Sequence, residues 1–186
     1  KIKEWTADGS NTFIFGYEES QGYLSAGYAR DKDAVGASVL AAEMVCRHYA
    51  EGRTVYEALQ EIYREYGIYR ESVLNVKITG IDPMGLMGEI MAGIRSTEID
   101  TIGGMKVTAV RDYKTGLRTA NGVSEPTGLP TSDVLYFELE KGNWVCVRPS
   151  GTEPKIKLYV NVNDKEEAKA KELLASLTAS AQQLLK

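Results

Sequence analysis

The sequence predicts two structural units of different class: a remnant of an α/β domain over residues 1–67, followed by an α+β unit over residues 68–186. Before Gly67, two helical patterns follow one short apolar strand. After that glycine, apolar and polar residues alternate as in half-buried strands, and two further helical patterns are interspersed. We therefore expect the second unit to form an antiparallel sheet with helices on one face.

The first unit opens with a short apolar strand at residues 12–15, which ends at Gly16. A polar loop covers residues 17–33, and a helix is predicted over residues 34–49. Because Ala, Val, Leu and Met occur on nearly every side of that helix, we expect it to be well buried. Asp33 is the expected N-cap, since its carboxylate suits a hydrogen bond from the first turn.

The next helix carries the clearest local signal in the chain. Thr54 and Glu57 have the spacing of a capping box, in which each side chain accepts a hydrogen bond from the other residue's backbone N–H. Gly67 suits the position just after the helix, where the backbone is often left-handed. The predicted apolar face consists of Val55, Leu59, Ile62 and Tyr66.

The second unit begins with a strand and a helix. Leu74, Val76 and Ile78 alternate with polar residues, which predicts a half-buried strand. Asp82 followed by Pro83 indicates an N-cap and a proline in the first helical turn. The predicted apolar stripe of this helix consists of Met84, Met87, Met91 and Ile94.

Three further strands are predicted beyond this helix. Residues 105–113 form the first, and residues 114–132, rich in Gly, Thr and Pro, are expected to be a long connection. Residues 134–140 and 143–148 alternate on either side of Lys141 and Gly142, which predicts a hairpin.

The chain is predicted to end with a strand and an amphipathic helix. Apolar residues alternate cleanly from Ile156 to Val162, the pattern of another half-buried strand. Asp164 is the expected N-cap of the helix, with Glu167 at the third helical position. The residues expected to face inward are Leu173, Leu174, Leu177, Ala181 and Leu184.

Composition restricts the functional classes. With 22 Lys and Arg against 26 Asp and Glu, the net charge is −4, which argues against general nucleic-acid binding because such binding needs a basic surface. No apolar run reaches the length of a membrane span. We expect a cytoplasmic chain with neither nucleic-acid nor membrane partners.

One loop between two predicted strands has the composition of an anion site. We call residues 148–154, Arg-Pro-Ser-Gly-Thr-Glu-Pro, the phosphate loop. Arg148 offers a planar fork of donors, Ser150 and Thr152 offer hydroxyls, and Gly151 lets a ligand approach the backbone. Exposed backbone N–H groups in such a turn can form an anion-binding concavity.

The strand that leaves this loop adds positive charge. Lys155 and Lys157 alternate with Ile156 and Leu158, so the lysines are expected on the opposite face of the strand. The pattern is that of a phosphate site in chemical terms. The residues alone equally allow a rigid hairpin turn with a solvated arginine.

A second loop has polar groups suited to a sugar. We call residues 16–23 the sugar loop. In an extended loop, Glu18 and Ser20 point the same way, and one carboxylate can accept two vicinal hydroxyls. Adjacent glutamates in a loop are also common on solvated surfaces. The charged residues 30–33 are expected simply to precede the following helix.

Together the two loops carry a resemblance. Gly-Tyr-Glu-Glu-Ser at residues 16–20 resembles the sugar-recognition loop of the α-D-phosphohexomutase superfamily, and residues 148–154 resemble the phosphate-binding loop of that family's fourth domain. The order and separation of the loops also fit. Tyr17 before Glu-Glu-Ser, and Arg-Asp-Lys-Asp at residues 30–33 after it, look most like the bacterial phosphoglucomutase branch. The resemblance implies that residues 1–67 are the C-terminal part of the third, sugar-recognition domain. It implies that residues 68–186 are the fourth domain, with a fold similar to the TATA-binding protein.

The resemblance also implies a function for the longer protein: transfer of phosphate between the 1- and 6-positions of a hexose through a bisphosphate, with Mg²⁺ and glucose 1,6-bisphosphate. Glu18 and Ser20 would hold the 3- and 4-hydroxyls, and Lys32 would be a further contact. The residues implied to grip the phosphate that is not transferred are Arg148, Ser150, Gly151 and Thr152.

The family's serine loop and its acidic metal loop do not occur in this sequence. We therefore expect no catalytic residue and no metal ligand in this chain, and no activity from it alone. The implied partners are a sugar phosphate and the N-terminal domains of the same polypeptide. The alternatives are a non-catalytic α+β module that binds an anion or a partner, or a mutase for a glucosamine or pentose phosphate. The sequence does not decide between glucose and mannose as the sugar of the substrate. The two differ at carbon 2, whereas the loop is implied to contact the hydroxyls of carbons 3 and 4, which are identical in both.

Overall fold

Ten strands and five helices make up most of the part of the chain that the computed structural model describes, residues 2–18 and 21–186. The chain divides into two units, Lys1–Ile62 and Tyr63–Lys186. The helices are α1 (Ile2–Asp8), α2 (Ala34–Ala50), α3 (Val55–Tyr66), α4 (Pro83–Ser96) and α5 (Glu167–Gln183). The strands are β1 (Gly16–Glu18), β2 (Gly22–Leu24), β3 (Ile68–Lys77), β4 (Thr101–Ile102), β5 (Met105–Asp112), β6 (Leu117–Ala120), β7 (Val123–Pro126), β8 (Leu135–Leu139), β9 (Trp144–Pro149) and β10 (Lys155–Asp164).

The second unit is built on one antiparallel sheet. Its strands run in the order β3-β10-β9-β8-β5-β6-β7, and β4 pairs with β5. Leu135, Val147 and Leu158 lie opposite one another across three neighbouring strands and therefore share one face of the sheet. The predicted antiparallel sheet is confirmed.

That face forms the core of the second unit together with α4 and α5. Met87 and Met91 of α4 lie in one buried cluster with Leu177 and Ala181 of α5. Because both helices contribute to the same cluster, the predicted placement of the helices on one sheet face is confirmed. Fully burying an aliphatic side chain of this kind stabilises the fold by about 1.5–3 kcal/mol. The strand residues of the cluster include Leu135, Phe137, Leu139, Val145, Val147, Ile156, Leu158, Val160 and Val162.

The opposite face of the sheet is polar and internally paired. Nε of Arg111 and Nε of Arg118 lie 2.6 and 2.8 Å from Oε1 of Glu138. The hydrogen bond from Arg118, with help from Arg111, lowers the pKa of the Glu138 carboxyl to about 2. The rings of Tyr136 and Trp144 stack beside this network, with centroids 5.1 Å apart. The sheet is therefore amphipathic, as expected for an antiparallel sheet with helices on one side.

The first unit departs from two predictions. Residues 12–15 are not a strand, because they form no β-ladder with any of the described residues. The hairpin that does form lies inside the predicted loop, where β1 pairs with β2. Helix α2 is present, but none of its residues is buried, and the side chains of Val39 and Met44 are largely exposed. Burial requires a packed neighbour on each apolar side, and within this unit α2 contacts mainly the short strand β2.

Local helix signals are confirmed at the N-termini of three helices. The N–H of Thr54 donates to Oε2 of Glu57 at 2.7 Å, and the N–H of Glu57 donates to Oγ1 of Thr54 at 3.1 Å. Asp33 accepts a hydrogen bond from the N–H of Gly36, three residues on. Asp82 caps α4 in the same way, through the N–H of Gly85.

Three predictions in the second unit need correction. β3 starts at Ile68, because it pairs with β10 over its whole length. That pairing extends β10 to Asp164, so Asp164 is not the N-cap; α5 begins at Glu167, and Asp164 accepts from the N–H of Glu166. The supposed connection over residues 114–132 contains the hairpin β6–β7, which turns at Asn121 and Gly122.

Candidate functional site

The phosphate loop joins β9 to β10, and backbone hydrogen bonds hold both of its ends. The N–H of Ser150 donates to the carbonyl of Lys155 at 2.9 Å. The carbonyl of Pro154 accepts the N–H of Ile78 at 2.9 Å, which ties the loop to the residue just after β3. These bonds use only main-chain groups, so they do not engage the guanidinium of Arg148.

The middle of the phosphate loop gathers donors around one hydroxyl. Oγ of Ser150 accepts the N–H of Glu153 at 3.3 Å and the N–H of Thr152 at 3.5 Å. The N–H of Gly151 donates to none of the described residues, and Arg148 is exposed and forms no ion pair with them. These N–H groups and one free guanidinium could satisfy an anion.

Positive charge is concentrated where the loop meets the sheet. Arg148 lies directly opposite Lys157 across β9 and β10, and Lys155 lies opposite Lys77 across β10 and β3. Lys155 forms an ion pair with Glu153 and so lowers the pKa of that carboxyl. Like charges directly opposite each other in a sheet are destabilising, so Arg148 and Lys157 favour an anion between them. The predicted placement of the two lysines on the face away from the core is confirmed.

Gly151 is not required by the fold around it. A Cβ added there would meet no atom within 4 Å, and the backbone is not left-handed at this residue. The space in front of the residue is open. A glycine at this point therefore leaves room for a ligand to approach the backbone.

The sugar loop lies in the first unit and forms the β1–β2 hairpin. Glu18 ends β1 and lies opposite Gly22 of β2. Glu19 and Ser20 lie outside the described residues, so the convergence of Glu18 and Ser20 on one ligand stays a prediction.

The structure brings Lys32 to Glu18. Nζ of Lys32 lies 3.3 Å from Oε1 of Glu18, and both side chains are about half exposed. The hydrogen bond with Glu18 raises the pKa of Lys32. The segment is fixed by the N–H of Asp33, which donates to the carbonyl of Tyr23 at 2.7 Å. A carboxylate beside an ammonium can accept sugar hydroxyls and bind an anionic group at the same place.

The described residues contain no group of three or more His, Cys, Asp or Glu side chains that could hold a metal ion. No helix among them is both long enough and apolar enough to cross a membrane.

Comparisons with known families cover most of the chain. A family model described as phosphoglucomutase/phosphomannomutase, alpha/beta/alpha domain III, matches residues 3–66. A second, described as phosphoglucomutase/phosphomannomutase, C-terminal domain, matches residues 97–175. The first match contains the sugar loop, and the second contains the phosphate loop.

Curated relatives agree with these matches. A phosphoglucomutase from Staphylococcus haemolyticus is 37% identical over 158 residues, which is 84% of this chain and 29% of the relative. Phosphoglucomutases from Staphylococcus epidermidis and Staphylococcus aureus (strain MSSA476) are 36% and 33% identical, over 81% and 83% of this chain. The chain therefore spans less than a third of the length of these relatives, since it covers 28% of each of the latter two.

A solved structure shares the fold. Parafusin from Paramecium, described as a phosphoglucomutase in an open form, superposes with a TM-score of 0.63 and 16% identity. The match covers 98% of this chain and 31% of parafusin. At this identity, the likeness supports the fold alone.

Proposed function

The chain belongs to the phosphoglucomutase/phosphomannomutase family, and from this premise we propose that it is the substrate-binding C-terminal part of an enzyme that interconverts hexose 1-phosphate and hexose 6-phosphate. In this proposal, residues 1–67 belong to the third, sugar-recognition domain and residues 68–186 form the fourth, phosphate-binding domain. The single observation that carries the proposal is the phosphate loop, in which the N–H of Gly151 and the exposed guanidinium of Arg148 have no partner among the described residues.

Arg148, Ser150, Gly151 and Thr152 bind the phosphate that is not being transferred. The guanidinium supplies charge and directed hydrogen bonds, and the loop supplies backbone N–H groups that need no rearrangement of the sheet. Phosphate contacts remote from the reacting oxygen hold the substrate in place during transfer. They also serve both substrate orientations, since either end of a hexose bisphosphate can occupy the same loop.

Glu18 and Ser20 bind the 3- and 4-hydroxyls of the sugar, and Lys32 is a further contact beside them. The observed distance of 3.3 Å between Lys32 and Glu18 supports a shared location for these two side chains. Glucose and mannose are identical at carbons 3 and 4, so this set of contacts serves both sugars.

The reacting groups lie outside this chain. Mg²⁺ and glucose 1,6-bisphosphate are proposed for the whole enzyme, where the metal neutralises charge on the transferring phosphoryl group. No described side-chain cluster of this chain suits a metal, so none of its residues is assigned to the ion.

The 186-residue chain should show no mutase activity on glucose 1-phosphate, even with Mg²⁺ and the bisphosphate, because it lacks the family's serine and metal loops. An assay coupled to glucose-6-phosphate dehydrogenase measures this, with the full-length enzyme as the positive control. Turnover clearly above a blank without protein would overturn the assignment of catalysis to other domains.

Phosphate should bind to the phosphate loop in the chain by itself, since its donors come from one local turn. We expect a Kd in the millimolar range, which corresponds to a binding free energy of about −4 kcal/mol. Binding is weak because an exposed anion keeps most of its water. Titration with inorganic phosphate, followed by amide chemical shifts, should move Ser150, Gly151 and Thr152 first. Arg148→Ala should abolish the response, and added salt should weaken it.

Two variants make this titration specific. Arg47→Ala removes an exposed arginine in the first unit and should leave the phosphate response unchanged. Gly151→Ala adds a methyl group in open space, so stability should be kept while phosphate binding weakens. If the loop amides stay still at tens of millimolar phosphate while another surface responds, the proposed function loses its main support.

A further inference from the structure

Gly22 is the one buried residue among the described residues of the sugar loop, 16–18 and 21–23. It lies on β2 directly opposite Glu18, and it is buried although Glu18 and Lys32 are exposed. Its backbone is not left-handed, so conformational freedom does not explain a glycine at this position. The reason must be the space that a side chain would occupy.

Two side chains fill that space. A Cβ at Gly22 would lie 2.7 Å from Oε1 and 2.8 Å from Cγ of Glu18. The same Cβ would lie 2.8 Å from Cδ of Lys32. Cβ atoms do not approach other heavy atoms this closely, so an alanine would displace both side chains. The carboxylate of Glu18 and the aliphatic stem of Lys32 therefore lie side by side over the bare backbone of this one glycine.

We propose that Gly22 is a positioning residue for sugar recognition: its missing side chain provides the surface on which Glu18 and Lys32 are held together in the arrangement that receives the substrate. This inference rests on the proposed function, which assigns the sugar to Glu18. Gly22 itself supplies no group to the ligand. It acts through the two side chains that cover it.

The physical chemistry separates this role from a role in folding. The atoms that an alanine would meet belong to two flexible, half-exposed side chains, which can swing into solvent at little cost. An exposed ion pair adds little to stability, so its loss should leave the hairpin folded. Substrate binding is far more sensitive, because a displacement of about 1 Å in a contact group can cost about 100-fold in rate.

Gly27, a few residues beyond the sugar loop, provides a matched control. It is exposed, its backbone is not left-handed, and a Cβ there would meet no atom within 4 Å. Gly27→Ala therefore makes the same chemical change without touching Glu18 or Lys32. A general effect of glycine replacement on loop flexibility would appear in both variants, whereas displacement of the pair appears only in Gly22→Ala.

The first measurement does not depend on activity. In the 186-residue chain, the pKa of Lys32 is read from a pH titration of its ¹³Cε signal. The hydrogen bond to Glu18 raises this pKa in the native chain, and Gly22→Ala should return it toward the ordinary lysine value. Gly27→Ala should titrate like the native chain. An unchanged Lys32 titration in Gly22→Ala overturns the inference, whatever the enzyme does.

The second measurement uses the full-length enzyme and the variants Gly22→Ala, Glu18→Ala and both together. We expect Gly22→Ala to lower kcat/KM by about 10- to 100-fold, with urea unfolding unchanged. In the Glu18→Ala background, the same change should cost no more than about threefold, because one of the two groups that Gly22 positions is gone and Lys32 has lost the carboxylate that holds it in place. Fully multiplicative losses would mean that Gly22 acts independently of Glu18, and the inference would be wrong.

The two measurements also separate this inference from the proposed function. If Lys32 responds as expected but Glu18→Ala leaves turnover of glucose 1-phosphate intact, the sugar role of Glu18 is wrong, and the positioning role falls with it. If Glu18→Ala damages turnover while Gly22→Ala does not, the proposed function stands and only the role of Gly22 is overturned.

Discussion

Replacement of Arg95 by methionine should lower the stability of the second unit by about 3 kcal/mol, the low end of the loss expected for a buried ion pair, because Arg95 and Asp112 are largely but not fully buried. Arg95 is only 16% exposed, and its Nε lies 3.3 Å from Oδ1 of Asp112. The same guanidinium pairs with Asp133, just before β8. The Arg95 side chain of α4 thus binds two carboxylates, those of Asp112 at the end of β5 and of Asp133 before β8. Asp112 is only 19% exposed.

Methionine keeps the apolar stem of the arginine and removes its charge, so the loss should reflect two carboxylates left without a cation. Urea unfolding followed by the amide signals of Val145 and Val147, both in the core, measures the effect on this unit. A loss of this size should also lower Tm by about 6–12 °C for a chain of this length.

The matched control is Lys171→Met on α5, in the same unit. Lys171 also pairs with a carboxylate, Glu167, but its side chain is 67% exposed, so the expected loss is far smaller. Replacing both Asp112 and Asp133 by asparagine in the Arg95→Met background should recover part of the stability, since no unpaired charge remains. A loss for Arg95→Met as small as that for Lys171→Met would mean that the pairs do not tie α4 to the sheet.

Features set by neighbours along the chain could be predicted from the sequence. The capping box of Thr54 and Glu57 and the cap at Asp82 depend on residues three positions apart, and both are present. The hairpin at Asn121 and Gly122 could also have been predicted from the sequence. Asn-Gly is a strong signal for a tight turn, and φ is positive at both residues. It was missed because the surrounding residues, rich in Gly, Thr and Pro, suggested a long connection.

Features set by distant residues could not be predicted in this way. Asp164 has the chemistry of an N-cap, but pairing with Ile68 keeps it in β10. The first half of β3 contains charged residues and was therefore not predicted as a strand. It is a strand because β10 pairs with β3 over its whole length. The pairing of Arg95 with Asp112 also depends on tertiary packing.

The same distinction between local and distant features applies to the candidate site. The residues of the phosphate loop are contiguous, so their types and order are enough to predict an anion site, which stays a prediction. The contact between Lys32 and Glu18, and the fit of both over Gly22, depend on hairpin register and on how the chain returns to β2. The sequence places glycines at positions 22 and 27, but it does not predict which of the two is covered by side chains.

In the full-length enzyme, Glu18→Ala should lower kcat/KM by about 10- to 150-fold and leave the fold intact. The carboxylate is proposed to accept sugar hydroxyls, and losing a hydrogen bond to a charged group costs about 1.5–3 kcal/mol. The residue ends a short strand and is exposed, so its truncation removes little packing. Its partner Lys32 is also exposed and can be hydrated when the carboxylate is gone.

Glu19→Ala is the internal control, although Glu19 lies outside the described residues. If the loop is extended as the sequence predicts, Glu19 points to the other side from Glu18, and we expect its loss to matter less. Steady-state kinetics with glucose 1-phosphate and with mannose 1-phosphate should show the same loss for Glu18→Ala on both substrates, because the two sugars are identical at carbons 3 and 4. Equal losses for Glu18→Ala and Glu19→Ala would mean that the assignment within the pair is wrong. A loss on only one of the two sugars would mean that Glu18 contacts the region of carbon 2 instead.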